Sequence, residues 1–332
     1  YRGENAQASY WDARYGVLER IEDLLNEPSE TNLSSTMDQF WQSLQDLAVH
    51  PEDAGARSVV RQRGIALVET FNYLSSSLQA QKRDLKAEIN VTKDQINTLL
   101  YQINEINKQV ARIEPHGYMP NDLYDERDRL IDELSGLMNI EVDYQSSGGQ
   151  ALSAAQGIAN IYLLNEDGER VNNDFKLIDA KTLDYRKMEI EINEEEHHAF
   201  VKEVTFTWSE NEENGEGNIL EQILDSSGKM KALIEAYGYK EDEESDVAGT
   251  YPDLLNDLDT MVYIFAKKFN EQHEQGYGLN GESGDEEGNN DDSGDEMGDR
   301  IPFFSGIGDE SERAAQNISI AQAILDDLDN IA

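Results

Sequence analysis

The sequence predicts an α+β multidomain protein, an elongated helical bundle or rod domain with a small β-rich domain inserted into it. Three observations carry this reading. From Pro51 to Ile113 apolar residues recur every seven positions, at Phe71, Leu78, Leu85, Leu99, Ile106 and Ile113, interrupted only by Thr92. From Ile140 to Trp208 the pattern changes to short strand-type runs separated by turn signals. From Tyr251 the helical period returns. The expected division is a discontinuous helical domain over 1–145 and 251–332, an insert over 146–250, and a flexible acidic loop over 281–299.

The first fifty residues read as two short helices. Tyr10, Val17, Leu18, Ile21, Leu24 and Leu25 form one apolar stripe, ended near Asn26-Glu27-Pro28. Ser34 to Thr36 can cap a second helix with the stripe Met37, Phe40, Trp41, Leu44 and Leu47. His50-Pro51 then breaks the chain, and Pro51 suits the first position of the long helix, where its missing N–H costs nothing. A second apolar set, Leu67, Leu74, Ile89, Ile96, Ile103 and Val110, completes an a/d seam buried against other helices. At roughly 1.5 Å per residue such a helix is a rod about 95 Å long. Gly64 inside it costs about 1 kcal/mol against Ala and marks a bend or a close contact.

Pro115, Gly117 and Pro120 end the rod, and Asn121-Asp122 offers a cap for a helix that turns back onto it. Leu123, Leu130, Ile131, Leu134 and Leu137 face one way on that helix. Strand-type runs follow at Ile140–Tyr144, Ile158–Leu164, Phe175–Ile178, Met188–Ile192 and Val201–Trp208. In the last run Val204, Phe206 and Trp208 share a face. Helical pattern resumes at Ile219–Leu224 and Met230–Tyr237, then in a wide stripe from Leu254 through Leu255, Leu258, Met261, Val262 and Phe265 to Phe269. Gly281 to Asp299 holds nine acids, five glycines and no base, which reads as a mobile loop. Ile301-Pro302-Phe303-Phe304 returns to an apolar surface, and Ile318, Ile320, Ile324, Leu325, Leu328 and Ile331 form a final segment.

Composition narrows the function. The 332 residues carry 69 acidic and 27 basic side chains, a formal charge of −42. Like-charge repulsion argues against duplex nucleic acid and anionic membranes as partners. Calcium binding, disorder and a solvated acidic surface suited to salty or alkaline water all fit that charge. With 38% hydrophobic residues, many in period, the composition argues against disorder of the whole chain, and the solvated surface is preferred. Cysteine is absent, which excludes disulfides and thiolate metal sites. No apolar run reaches the roughly 18 residues of a membrane helix. The opening residues Tyr1-Arg2-Gly3-Glu4-Asn5 contain neither an initiator Met nor a signal h-region, so the chain reads as the trimmed core of something longer.

Candidate chemistry is sparse. His197-His198 follows Glu194–Glu196, yet neither has an i+4 ligand on a confident helix, and a polar hairpin turn is the plainer reading. In the acidic loop, an EF-hand register from Asn289 places Gly294 correctly but puts Arg300 where a Glu is required. Asn218 lacks a surrounding phosphate loop, and no nucleophile elbow, Walker A or dinucleotide fingerprint occurs. Trp41 and Trp208, on apolar stripes, are expected in the core. No catalytic residue, cofactor or metal site is expected, and an enzyme would require a convergent pocket.

Several stretches resemble one family. The most specific is Pro120-Asn121-Asp122-Leu123-Tyr124-Asp125-Glu126-Arg127-Asp128-Arg129-Leu130-Ile131-Asp132-Glu133-Leu134-Ser135. Asn26-Glu27-Pro28-Ser29 with Phe40-Trp41, Phe269-Asn270-Glu271-Gln272-His273-Glu274-Gln275-Gly276-Tyr277 with Phe303-Phe304, and Ala315 to Ala332 fit as well. Together they resemble the flagellar hook-associated protein 1 family, which joins hook to filament in bacteria. The resemblance implies a structural protein without catalysis, exported through the flagellar secretion channel without a cleaved signal. It implies a ring of copies between hook and filament, in contact with hook protein, a neighbouring hook-associated protein and an export chaperone. The family's terminal helical segments are missing here, and 145–250 shows nothing specific to it. A secreted acidic cation-binding adhesin with a helical stalk, or another axial protein such as a flagellin, are the alternatives; the 120–135 motif speaks against both.

Overall fold

The computed structural model describes every residue except 1, 26–31, 173–174, 195–197, 211–216, 243, 277, 280–300 and 309, so the acidic loop expected over 281–299 and His197 lie outside the described residues. In chain order the helices are α1 (Arg2–Leu25), α2 (Leu33–Val49), α3 (Ala54–Ile113) and α4 (Asn121–Leu137). The strands β1 (Ile140–Gln145), β2 (Ile158–Leu163), β3 (Lys176–Asp179), β4 (Asp184–Asn193) and β5 (Phe200–Trp208) follow. Then come α5 (Leu220–Leu224), α6 (Lys229–Tyr237) and α7 (Thr250–His273). The chain finishes with β6 (Phe304–Ser305), α8 (Ala314–Asn317), β7 (Ser319–Ile320) and α9 (Gln322–Asp326). The fold is thus α+β, mostly helical with a five-stranded antiparallel sheet and a two-stranded one formed by β6 and β7, as the helical and strand-type periodicities indicate.

Three helix starts differ from expectation. Pro51 lies in a turn, and α3 begins at Ala54 behind Asp53, whose carboxylate accepts the Gly55 N–H at 2.7 Å. At α2 the cap is Asn32, which accepts from the Ser35 N–H, so Ser34 to Thr36 are already helical. At α4 Pro120 occupies the cap position without a side-chain bond, because Asn121 and Asp122 start the helix itself. The seam is buried as its period requires: Phe71, Leu78, Leu85, Leu99 and Ile106 all lie in the core, with Ile113 half-buried. Thr92, the break in the seam, is only 1% exposed.

Contacts divide the chain into two compact units, Tyr1–Arg20 with Gln81–Asp253, and Ile21–Ala80 with Leu254–Ala332. This line differs from the expected one around 146–250. The physical reason is that the sheet is not self-contained: side chains of α3 complete its backbone hydrogen bonding, as described below.

The first unit holds the five-stranded sheet, an antiparallel meander in the order β1-β2-β3-β4-β5. Ile140 opposes Leu163 at one edge, and Met188 opposes Phe206 near the other. β2 is buried along its whole length, and Leu177, Ile178, Met188, Val204 and Phe206 fill the core. Trp208 is half-buried, and the Arg186 guanidinium stacks between its ring, at 4.6 Å, and that of Phe175, at 4.7 Å.

The second unit is built on an aromatic cluster. Phe269 touches Phe40, Phe265, Phe303 and Phe304 at centroid distances of 5.1 to 6.2 Å. Such tilted and edge-on pairs each add about 0.5–1.5 kcal/mol beyond their buried area. Gly64 marks a close contact here, since a Cβ would stand 2.9 Å from the Phe303 ring. Trp41 corrects the expectation of a core tryptophan: it is 62% exposed, because Phe40 takes the inward position on α2. The segment 301–332 has little regular structure of its own, and helix side chains satisfy its backbone. Asn270 accepts from the Phe303 and Phe304 N–H groups and donates to the Phe304 carbonyl. Asn72 donates to the Ala315 carbonyl, and buried Asp259 accepts the Ala315 N–H at 2.8 Å.

Candidate functional site

The signature helix α4 is amphipathic, and its motif residues divide by face. Arg127, Leu130, Ile131 and Leu134 are buried; Leu123 and Asp128 are half-buried; Asn121, Asp122 and Asp125 are exposed. They share a helix rather than converge on a pocket. The buried face does the organising, and its chief member is Arg127, the largest fully buried side chain among the described residues.

Burying a guanidinium is costly unless its charge and donors are met. Here it donates to the Gly157 carbonyl at 2.7 Å, to Gln156 Oε1 at 2.9 Å and to Asn107 Oδ1 at 3.3 Å. Its plane lies against the rings of Tyr144, at 4.9 Å, and Tyr124, at 5.5 Å. A buried carboxylate, that of Glu114 at 0% exposure, belongs to the same network. It accepts the Gly157 N–H at 3.0 Å and the hydroxyls of Tyr124 and Ser147. Burial, reinforced by the bond to Glu114, pushes the Tyr124 hydroxyl up to about 12, so it stays a donor. Burial also lowers the Arg127 pKa, which Tyr144, Asp128 and Glu114 around it oppose.

Three asparagines of α3 extend this polar framework to the sheet. Asn107 donates to the Ala159 carbonyl at 2.9 Å and accepts the Ala159 N–H at 3.1 Å. Asn97 does the same to Met188, at 2.9 and 2.7 Å, and Asn104 donates to the Leu183 carbonyl. A side-chain amide carries the same donor and acceptor as a peptide, so Asn97 and Asn107 each act as one residue of an absent neighbouring strand. The sequence signal for them was available: 97 and 104 are a heptad apart, beside the seam positions Ile96 and Ile103. Glu114, in the short 3-10 turn that follows α3, and Gly157, in the loop between β1 and β2, by contrast have no pattern to single them out.

The remaining candidates have structural settings. Asn218 accepts the Val204 and Leu220 N–H groups, both at 3.0 Å, and so ties the start of α5 to β5. His198 is buried, and among the described residues no group of three His, Asp or Glu is placed to hold a metal ion. An open cleft of about 910 Å³ lies over β5 and α6, lined by Lys202, Glu203, Glu221, Glu235 and Lys240 among others. A smaller one of about 260 Å³ lies between α2 and α3, lined by Leu33, Thr36, Thr70 and Tyr73. Neither contains the Arg127 cluster, which is a closed polar core. No described helix is long and apolar enough to cross a membrane.

Comparison with known proteins bears on this arrangement. Residues 18–286 match the family described as the flagellar hook-associated protein FlgK helical domain. Flagellar hook-associated protein 1 of Bacillus subtilis (strain 168) is 36% identical over 326 residues, covering 98% of this chain and 59% of that protein. Its namesake in Escherichia coli (strain K12) is 26% identical over 287 residues, covering 86% and 46%. The solved structure of the flagellar hook junction protein FlgK from Burkholderia pseudomallei shares the fold, with a TM-score of 0.63 and 16% identity over 84% of this chain and 44% of that one. The chain therefore spans about half to three-fifths of the length of these relatives.

Proposed function

Because the chain belongs to the flagellar hook-associated protein 1 family, we propose that it is a structural part of the bacterial flagellum, placed at the junction of hook and filament. The observation that carries this is the similarity over nearly the whole chain to a protein of that name. Consistent with a structural role, the buried motif residues of α4 are spent on holding a core together, and the guanidinium of Arg127 is enclosed there rather than presented to a substrate. Catalysis forms no part of this reading. An adhesin or a flagellin is less well supported, since the motif over 120–135 falls inside the matched region.

In this reading copies of the chain form a ring, with helical parts over 1–145 and 251–332 supplying its lateral wall and 146–250 carried as an insert. The ring contacts hook protein on one side and a neighbouring hook-associated protein and filament on the other. An export chaperone accompanies the subunit before passage to the cell exterior, which uses no cleaved signal. At −42 per subunit, close packing carries repulsion that salt or paired charges must offset. Nucleic acid and membrane are not partners.

The test is complementation. The full-length gene product is expressed in a strain lacking its own hook-associated protein 1, and filaments attached to hooks are counted. Restored attachment is expected. Secretion of the protein with intact hooks and no attached filaments would overturn the proposal.

A further inference from the structure

His273, in the last turn of α7, holds two stretches of backbone at once. Its Nδ1 lies 3.0 Å from the Ile301 carbonyl oxygen, and its Nε2 lies 2.9 Å from the Ala332 amide nitrogen. A carbonyl only accepts and an amide N–H only donates. Nδ1 therefore carries the hydrogen and Nε2 is bare, which defines a neutral ring in one tautomer. The ring is 6% exposed and lies against Phe269, at 6.3 Å, and Phe303, at 5.6 Å.

The turn after the ring is packed just as closely on residues 328–332. A Cβ on Gly276 would stand 2.9 Å from the Ala332 Cβ, and one on Gly278 would stand 2.5 Å from the Asp329 carbonyl oxygen. The Leu279 N–H donates to that same carbonyl at 2.8 Å. The charged groups on the elements gathered here are Arg57, which donates to the Leu328 and Ile331 carbonyls, with Asp327 and Asp329 on the segment itself. Glu271 and Glu274 flank the ring in sequence at the end of α7, and Glu271 is paired with Lys268.

We propose that His273 is an acid-sensitive latch that fastens residues 328–332 to the end of α7. Protonation puts a hydrogen on Nε2, directed at the Ala332 N–H, so two donors face each other and the bond is lost. It also places a cation among phenylalanines, beside a segment already held by the cationic Arg57. Release of 328–332 relieves both by letting the ring reach water. Burial lowers the pKa of the latched ring, with the Ile301 carbonyl opposing, whereas a released ring returns to its ordinary value of about 6.5. The latched state thus binds fewer protons. Latching is complete above about pH 6.5 and weakens as pH falls below it, by up to about thirtyfold in the opening equilibrium at pH 5.

Amide hydrogen exchange on the whole chain at pH 7.5 and pH 5, corrected for intrinsic rates, tests this. Protection of residues 328–332 should fall at pH 5 by as much as about thirtyfold relative to amides in the middle of α3. His273→Gln keeps a donor and an acceptor but cannot titrate, and should remove most of that fall. Equal protection at both pH values, or an equal fall in the variant, would overturn the latch. Should the variant fold poorly, ring ¹⁵N shifts of the unaltered protein decide. Nδ1–H at pH 7.5, titrating below 6.5 together with the Ala332 amide, supports the latch. Nε2–H at pH 7.5, or titration at 6.5 without response from Ala332, refutes it.

Discussion

Glu114 and Arg127 are joined through a single residue. The Glu114 carboxylate accepts the Gly157 N–H at 3.0 Å, and the Arg127 guanidinium donates to the Gly157 carbonyl at 2.7 Å. Opposite charges thus meet the two backbone groups of one buried glycine, and each offsets part of the desolvation of the other. Gly157 has φ +83°, and a Cβ there would stand 2.3 Å from the Gln145 carbonyl oxygen. The loop between β1 and β2 is therefore held at a point where only glycine fits.

Substitution of that glycine should be severe. Gly157→Ala combines left-handed backbone with a clash against main chain, and should cost about 3 kcal/mol or more. Gly168→Ala is the control, with φ +78° and nothing within 4 Å of the added Cβ. It should cost only the backbone penalty, about 1–2 kcal/mol. Chemical denaturation of both variants checks the difference, and equal losses would mean that the 2.3 Å approach is easily relieved.

Much of this fold is legible in the residues. The heptads from Leu67 to Val110 identify α3 as a long helix, and the expected bounds Pro51 and Ile113 fall within three residues of those observed, because prolines bracket the seam. The five strands fall within a few residues of their apolar runs, since Gly, Asn and Asp punctuate them clearly. The motif over 120–135 gives the family, but its sequence says nothing of why Arg127 matters. Its partners Asn107, Glu114 and Gly157 come from α3, from the 3-10 turn after it and from the loop between β1 and β2, and only tertiary structure brings them together. The same holds for Trp41, whose place on a stripe is indistinguishable from that of Phe40 until the helix's rotation is known.

The asparagine clamps should be as costly to lose as core residues. Asn107→Ala leaves the Ala159 N–H and C=O unpaired in a buried strand and takes a partner from Arg127. Chemical denaturation should show a loss of about 2–4 kcal/mol. Asn90→Ala removes only a bond to the Lys86 carbonyl of the same helix, and should change stability by about 0.5 kcal/mol or less.

Lys82 makes stability depend on alkaline pH. It is 6% exposed, its Nζ has no hydrogen-bond partner among the described residues, and it lies 5.0 Å from the Tyr237 ring. Burial lowers its pKa from 10.5 to about 8. Between those values the folded state binds fewer protons than the unfolded, so stability rises with pH across that window, by about 3 kcal/mol in all. Lys82→Met should therefore stabilise the protein at pH 7 by up to that amount and lose the advantage above about pH 10.5. Denaturation of both proteins from pH 7 to 11 checks the sign, and a gain that does not shrink with pH would refute it.

Salt should also stabilise the chain. A charge of −42 repels itself across the folded surface, and the screening length falls from about 8 Å at 0.15 M to about 3 Å at 1 M. The melting temperature should rise from dilute buffer to 1 M NaCl. A flat response would show that the acids are already paired or well separated.

The most direct test of the structural role is where the protein sits on the flagellum. The full-length gene product, carrying an epitope tag and expressed in a strain lacking its own hook-associated protein 1, is labelled with gold on intact flagella and viewed by electron microscopy. Label confined to a narrow band between hook and filament is the result expected of a junction protein. Label running along the filament, or scattered over the cell surface with the junction bare, would contradict it.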